Sequence, residues 1–202
     1  MRGKLIVISG FSGAGKDSVA RGLMELCDNY TYSISATTRK PRENEKEGVD
    51  YYFLSEAEFA EKALSGQFLE YATFCGNQYG TPAAPVAEKL DEGRDVILVI
   101  ECIGAMNIKN LFPDAILVFV STESMEVLEE RIRKRGKDDE ETIRKRLAKA
   151  KEEAWMIPKY DYLVVNKDRQ LDKSVQLIHN IVKTEKARTS CNMDFIESLI
   201  SE

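Results

Sequence analysis

The sequence predicts an α/β fold: a five-stranded parallel sheet with helices on both faces, an inserted small α+β lobe and a helical lid. Three observations lead there. Five short apolar runs, Leu5–Ser9, Tyr32–Ser35, Val96–Ile100, Ala115–Val120 and Tyr162–Val165, alternate with segments of helical periodicity. The first run enters a glycine-rich loop that ends in a lysine. The interval between the second and third runs is too long for a simple strand-helix-strand crossover, so it folds as a lobe of its own.

A chain of 202 residues with 43% hydrophobic content buries one substantial core plus a small insertion without disulfide or metal staples. The net charge of −5 makes polymeric nucleic acid an unsuitable partner, so any anionic ligand must meet locally concentrated arginine. Cys27, Cys75, Cys102 and Cys191 show no C-x-x-C spacing and His179 is the single histidine, which excludes zinc sites and histidine triads. The cysteines read as reduced, mostly buried small hydrophobes. No apolar run approaches the roughly 18 residues of a membrane span, so the expectation is a soluble cytoplasmic protein without a membrane partner; oligomeric state stays open.

Along the chain, the loop and first helical turn, Gly10, Phe11, Ser12, Gly13, Ala14, Gly15, Lys16, Asp17 and Ser18, are the phosphate-binding candidates. Glycines at both ends allow successive backbone N–H groups to turn inward, and the helix N-terminus with the Lys16 ammonium adds positive potential. Asp17 stands where a Ser or Thr hydroxyl would ordinarily reach the Mg²⁺ that travels with ATP. It is read either as a magnesium ligand or as a first-turn acid favoured by the helix dipole. Without a cation, a carboxylate ~4 Å from a phosphate charge at an effective dielectric of ~20 costs roughly 4 kcal/mol.

Lys16–Cys27 follows as a helix with apolar Val19, Ala20, Leu23, Met24 and Leu26 on one side. After the second strand, Arg39 and Arg42 stand three residues apart in an irregular stretch, where two guanidinium forks can grip one phosphate. Within the lobe, Tyr51–Leu54 reads as a strand and Ser55–Ser65 as a helix, opened by a Ser55/Glu58 capping box and ended by Gly66. Phe68–Phe74 is a further strand and Gly76-Asn77 a turn. The stretch from Glu126 to Tyr160 is helical and dense in charge around an acidic break at Asp138–Glu141. Its basic residues gain a specific use beside a phosphate loop, closing over the phosphates. Gln170–Arg188 is a final packing helix, and Thr189–Glu202 a polar, partly amphipathic tail.

The segments S-A-T-T-R-x-P-R from Ser35, Gly48-Val49-Asp50-Tyr51, Phe68-Leu69-Glu70-Tyr71 and Gly76-Asn77-Gln78-Tyr79-Gly80-Thr81 resemble guanylate kinase in order and spacing. With the loop and the basic helices, the resemblance covers about residues 4–184. It implies the P-loop NTPase fold and reversible phosphoryl transfer from ATP to GMP, and to dGMP, with ATP and Mg²⁺ as cofactors. It divides residues 1–184 into a core (1–35 and 82–184), a GMP-binding lobe (36–81) and a lid (about 126–160), with a tail from 185 to 202. It implies that Arg39, Arg42, Tyr51 and Tyr79 hold the GMP phosphate and that Glu70, Ser35 and Thr81 read the base. An ionised Glu70 suits that task on chemical grounds too, because guanine presents a ring N–H beside an exocyclic amine and adenine does not. Family analogy assigns Arg131, Arg135 and Arg146 to the lid and, with Lys16, to catalysis, and Asn166 to the adenine side of ATP.

The chain departs from the family where a pattern like D-x-D-x-Q-G is usual: it reads Val99-Ile100-Glu101-Cys102-Ile103-Gly104. Glu101 is the surviving acid there, the candidate to organise water around magnesium or to position Lys16, and Asp17 is expected to make good the carboxylate absent at Val99. Thr122-Glu123-Ser124 replaces the family's P-P-S, a change expected to affect a turn. Two other readings stay open: a nucleoside monophosphate kinase of changed substrate, and a noncatalytic guanylate-kinase-like module that binds phosphopeptides.

Overall fold

A computed structural model describes residues 2–74, 76–136 and 138–201, Phe74 by its backbone only. Its centre is β1 (Leu5–Gly10), buried along its whole length because both faces are covered. Ile6 and Ile8 face one layer, packed with Val19 and Leu23 of α1 (Lys16–Leu26) and with Val175, Ile178 and Val182 of α7 (Leu171–Lys186). Leu5 and Val7 face the other layer, against Val86 and Leu90 of α3 (Ala83–Asp91) and Ala105 and Ile108 of α4 (Cys102–Leu111). Each Val, Leu or Ile among them, fully buried, contributes about 1.5–3 kcal/mol, so the alternation along β1 fixes the three-layer arrangement.

Around β1 the sheet runs β2 (Tyr30–Tyr32), β7 (Asp95–Val99), β1, β8 (Ile116–Ser121), β9 (Tyr162–Val165), with every pairing parallel. Neighbouring strands are reached by crossovers to left and right of β1, which opens a crevice at their carboxyl ends, where α/β sheets hold ligands. The expected second strand, Tyr32–Ser35, lies two residues too late: Tyr30 pairs with Asp95, and Ser33 makes the last hydrogen bond to β7 before the chain leaves the sheet. The run extends past the first sheet because the next residues, β3 (Ala36–Thr37), belong to a second sheet.

That second sheet has the order β4 (Tyr52–Phe53), β3, β6 (Asn77–Pro82), β5 (Phe68–Phe74). One face is plugged by Phe59 of α2 (Glu56–Leu64), fully buried against Phe68. The capping box forms as expected: Ser55 Oγ accepts from the Glu58 amide, and the Ser55 amide donates to Glu58. Asn77, expected in a turn, pairs with Phe74 as the first residue of β6. The charged stretch forms α5 (Met125–Lys134) and α6 (Glu140–Ala154), capped by Ser124 and Asp139. Residues 189–202 carry α8 (Met193–Ile200), whose Phe195, Leu199 and Ile200 are exposed. Of the cysteines, Cys102 alone among those described is buried; Cys27 and Cys191 are half-exposed, correcting the expectation of mostly buried thiols, and Cys75 lies outside the described residues. No helix among the described residues is long and apolar enough to cross a membrane.

Candidate active-site cleft

The glycine loop joins β1 to α1. At Gly10, with φ +141°, a Cβ would lie 1.9 Å from the carbonyl oxygen of Val120, so the strand end can approach β8 only as glycine. Phe11 turns inward, edge-on to Phe119. The Lys16 ammonium folds back over the loop, donating to the carbonyls of Gly10 (2.7 Å) and Phe11 (3.3 Å). A cation is thereby held inside the curve of backbone that opens α1.

Asn166 and Arg131 brace this loop from outside. The buried Asn166 amide donates to the Ala14 carbonyl at 2.8 Å and its oxygen accepts from Ser174. Arg131 donates to the carbonyls of Asn166 (2.8 Å) and Ala14 (3.4 Å). Both residues also line an open hollow of about 350 Å³ with Gly13, Gly15, Ser18, Lys134, Arg135 and Lys167. Arg135 caps α5 at its C-terminal end and is exposed. Arg146 reaches Ser12 Oγ at 3.3 Å from α6 and is tethered to Asp138 at 3.1 Å. The expected lid cations therefore gather over the loop, Arg131 as a strut, Arg146 held between Ser12 and Asp138, and Arg135 exposed at the end of α5.

A cavity of about 230 Å³ joins the two sheets. Lys16 and Asp17 of α1, Val99 of β7 and Glu101 line it on one side, and Ser35, Tyr51, Glu70 and Tyr79, in or beside the second sheet, on the other, with Tyr32 of β2 between them. Asp17 and Val99, the proposed exchange of carboxylates, share this wall. Tyr32 was not singled out from the sequence, because an aromatic in a strand is ordinarily core. Burial raises its phenol well above the ordinary tyrosine value, as it does that of Tyr51.

Glu70 and Thr81 are directly opposite each other on β5 and β6, and the Thr81 hydroxyl donates to Glu70 Oε1 at 2.7 Å. Glu70 is 7% exposed, and this burial pushes its carboxyl above the usual carboxylate range, only partly offset by the Thr81 hydrogen bond. Thr81 reaches the cleft through Glu70 and does not itself line it.

Arg39 and Arg42 are arranged differently from the two-sided grip expected of them. Arg39 forms a forked ion pair with Glu45 (2.8 and 2.9 Å) and lies over the Tyr51 ring at 5.4 Å. That hydrogen bonding holds Glu45 below its ordinary value. Arg42 is 76% exposed and 4.0 Å from Glu45. Glu45, which the sequence reading passed over, organises both arginines, and its position three residues after Arg42 was the available signal.

Glu101 caps α4 and pairs with Lys149 of α6 at 2.5 Å, and Lys149 also meets Glu153 at 3.5 Å. Burial and the neighbouring Glu101 charge raise the Glu153 carboxyl. Lys149 and Glu153 went unremarked in the sequence, although with Arg146 they recur at helical spacing on one face.

Comparison with known proteins agrees on one relationship. A family model described as Guanylate kinase matches residues 2–185. The chain is 43% identical over 202 residues to a guanylate kinase of Latilactobacillus sakei, covering 100% of this chain and 98% of that protein. It is 46% identical over 187 residues to one from Lactococcus lactis, covering 93% and 90%. Among solved structures, a guanylate kinase from Anaplasma phagocytophilum superposes with a TM-score of 0.76 at 31% identity, over 93% of this chain and 88% of that one.

Proposed function

The chain belongs to the guanylate kinase family, and from that premise we propose how its cleft carries out the ATP-dependent phosphorylation of GMP to GDP. The observation that carries the reading is the cavity bounded by Lys16, Asp17 and Glu101 on one wall and by Glu70, Tyr51 and Tyr79 on the other. Acceptor and donor phosphates entering from the two sheets meet beside Lys16.

In this reading Glu70, set by Thr81 and assisted by Ser35, accepts the paired donors of guanine. A buried carboxylate left without those donors makes bases that lack them costly to bind. Tyr51, Tyr79 and Arg39 hold the acceptor phosphate, with Arg42 reaching in from the rim. dGMP carries the same base and phosphate and is a second acceptor. ATP lies along residues 10–18, its adenine toward the hollow beside Asn166. As its phosphates arrive, the Lys16 ammonium exchanges the Gly10 and Phe11 carbonyls for phosphate oxygens. Arg135 and Arg146 neutralise charge spreading over the transferring group, while Arg131 and Asn166 keep the Ala14 peptide in place. The protein performs little covalent chemistry; it aligns an acceptor oxygen with the phosphorus and surrounds the developing charge with fixed dipoles. Closing of the second sheet and of α5 and α6 over the cleft excludes water that would otherwise hydrolyse ATP.

The residues present fit Mg²⁺. Asp17 and Glu101 are oxygen donors on one cavity wall, and magnesium takes one or two carboxylates with waters and phosphate oxygens. Among the described residues no group of three acidic, cysteine or histidine side chains converges, so the nucleotide would supply most ligands, with Asp17 as the protein's own. When bound, the ion would supply neutralisation of phosphate charge. Domain bounds follow the same reading: core 1–35 and 82–184, GMP lobe 36–81, lid about 126–160, tail 185–202. We place the protein in the cytoplasm, which suits the free thiols at Cys27, Cys102 and Cys191.

The test is ATP consumption with GMP, dGMP, AMP, CMP or UMP as acceptor. Turnover confined to the two guanine nucleotides is expected; equal turnover with AMP would overturn the assignment of Glu70. Failure to bind ATP by calorimetry would favour the noncatalytic module instead.

A further inference from the structure

Gly104 lies in the first turn of α4, buried and with an ordinary helical backbone, so nothing in its conformation calls for glycine. Its surroundings do. A Cβ built there would stand 2.3 Å from Glu70 Oε2 and 3.0 Å from Glu70 Cδ, with Ile100 Cδ1 at 3.4 Å. Distances below 3 Å from carbon to a carboxylate oxygen are not tolerated, and this carboxylate has little room to yield. Its other oxygen is tied to the Thr81 hydroxyl at 2.7 Å, and the side chain is 7% exposed. Glu70 and Gly104 belong to different sheets' layers, β5 on one side and α4 on the other.

We propose that Gly104 is a specificity-positioning residue: the missing side chain on α4 is the seat of the Glu70 carboxylate, and it sets the orientation in which that carboxylate meets guanine. A methyl at this position turns the Oε2 atom away from the helix and breaks either the Thr81 hydrogen bond or the alignment with the two base donors. The seat also places the carboxylate against the N-terminal turn of a ten-residue helix, an end that favours negative charge. The reading of Glu70 as the base-recognising group is a premise of this inference.

The decisive variant is Gly104→Ala, because alanine is the better helix former and the fold has no other objection to it. Three substrates are compared by steady-state kinetics: GMP, ATP, and IMP, the nucleotide that keeps the ring N–H and lacks the exocyclic amine. The expected result is a rise of about tenfold or more in KM for GMP, a fall in the GMP-to-IMP preference by a similar factor, an unchanged KM for ATP, and a Tm no lower than that of the parent. A second arm uses Glu70→Asp, whose carboxylate is withdrawn by one methylene. In that background the added methyl should cost nothing more, so the two substitutions are non-additive. A GMP-to-IMP preference unmoved by Gly104→Ala overturns the proposal. So does a methyl effect of the same size in both backgrounds, or a parallel rise in KM for ATP. Glu70→Gln in the same assay separates the premise from the inference: if it leaves the preference intact, the reading of Glu70 itself has failed, and if it alone collapses the preference, only the role of Gly104 has.

Discussion

Glu70→Gln replaces one acceptor oxygen by an amine of nearly the same shape, and its consequences for binding and stability have opposite signs. In the parent, Oε1 accepts from Thr81, and the carboxylate lies buried on the cavity wall opposite Lys16 and Asp17. A glutamine that keeps its oxygen toward Thr81 presents its amine to two guanine donors. One that flips sets the amine against the Thr81 hydroxyl and offers the base one neutral acceptor. Either way a charge-assisted hydrogen bond worth about 1.5–3 kcal/mol is lost, and a donor left buried costs about 1–3 kcal/mol more. At ~1.4 kcal/mol per factor of ten, KM for GMP should rise roughly a hundredfold or more, with KM for ATP unchanged. Stability moves the other way. The folded pKa of Glu70 is raised above its ordinary 4.5 by burial, so its stabilising contribution is full below the unfolded value and is lost as pH rises through the folded one. At neutral pH the ionised group is a cost that the neutral amide removes. Thermal melts should therefore give Glu70→Gln a Tm equal to or above that of the parent at pH 7, an advantage that disappears below pH 4.5. A coupled ADP assay showing KM for GMP within about threefold of the parent would refute the role given to this carboxylate.

Lys16→Ala should lower kcat by about 10²–10³, with KM for GMP little changed, since it removes the cation inside the loop; a purely KM effect would overturn that role. Arg39→Ala should raise KM for GMP by about 10–100-fold through loss of one charge-assisted grip, with kcat largely kept, as initial-rate measurements will show. Asp17→Ser should raise the Mg²⁺ concentration for half-maximal rate by about tenfold, and an unchanged or lower requirement would dismiss Asp17 as the substitute for a carboxylate at Val99. The acid limb of GMP binding, followed by calorimetry from pH 7 downward, should set in at a higher pH than an exposed glutamate would give, because Glu70 must be ionised to accept the base donors and burial has raised its pKa.

The sequence by itself determined the parallel sheet, the glycine loop and the first helix, because these rest on local patterns: apolar runs buried on both faces, and a turn that only glycine can make at Gly10. It also named the Ser55 capping box, whereas Glu70 and Thr81 were linked only through the family resemblance, and the register of β5 against β6 sets them opposite each other. It misplaced the second strand by two residues, since a single apolar run there serves two sheets and periodicity cannot show where the chain changes partner. Tertiary structure alone decided what depends on contacts distant in sequence. Glu45 takes the Arg39 fork, Asn166 and Arg131 act first as struts for Ala14, and Lys149 joins α6 to Glu101. It alone brought Gly104 beneath Glu70, a meeting between layers that no spacing records. Short-range sterics and hydrogen bonds are written residue by residue, whereas the aim of a charged side chain is set by whichever partners packing brings within about 3 Å.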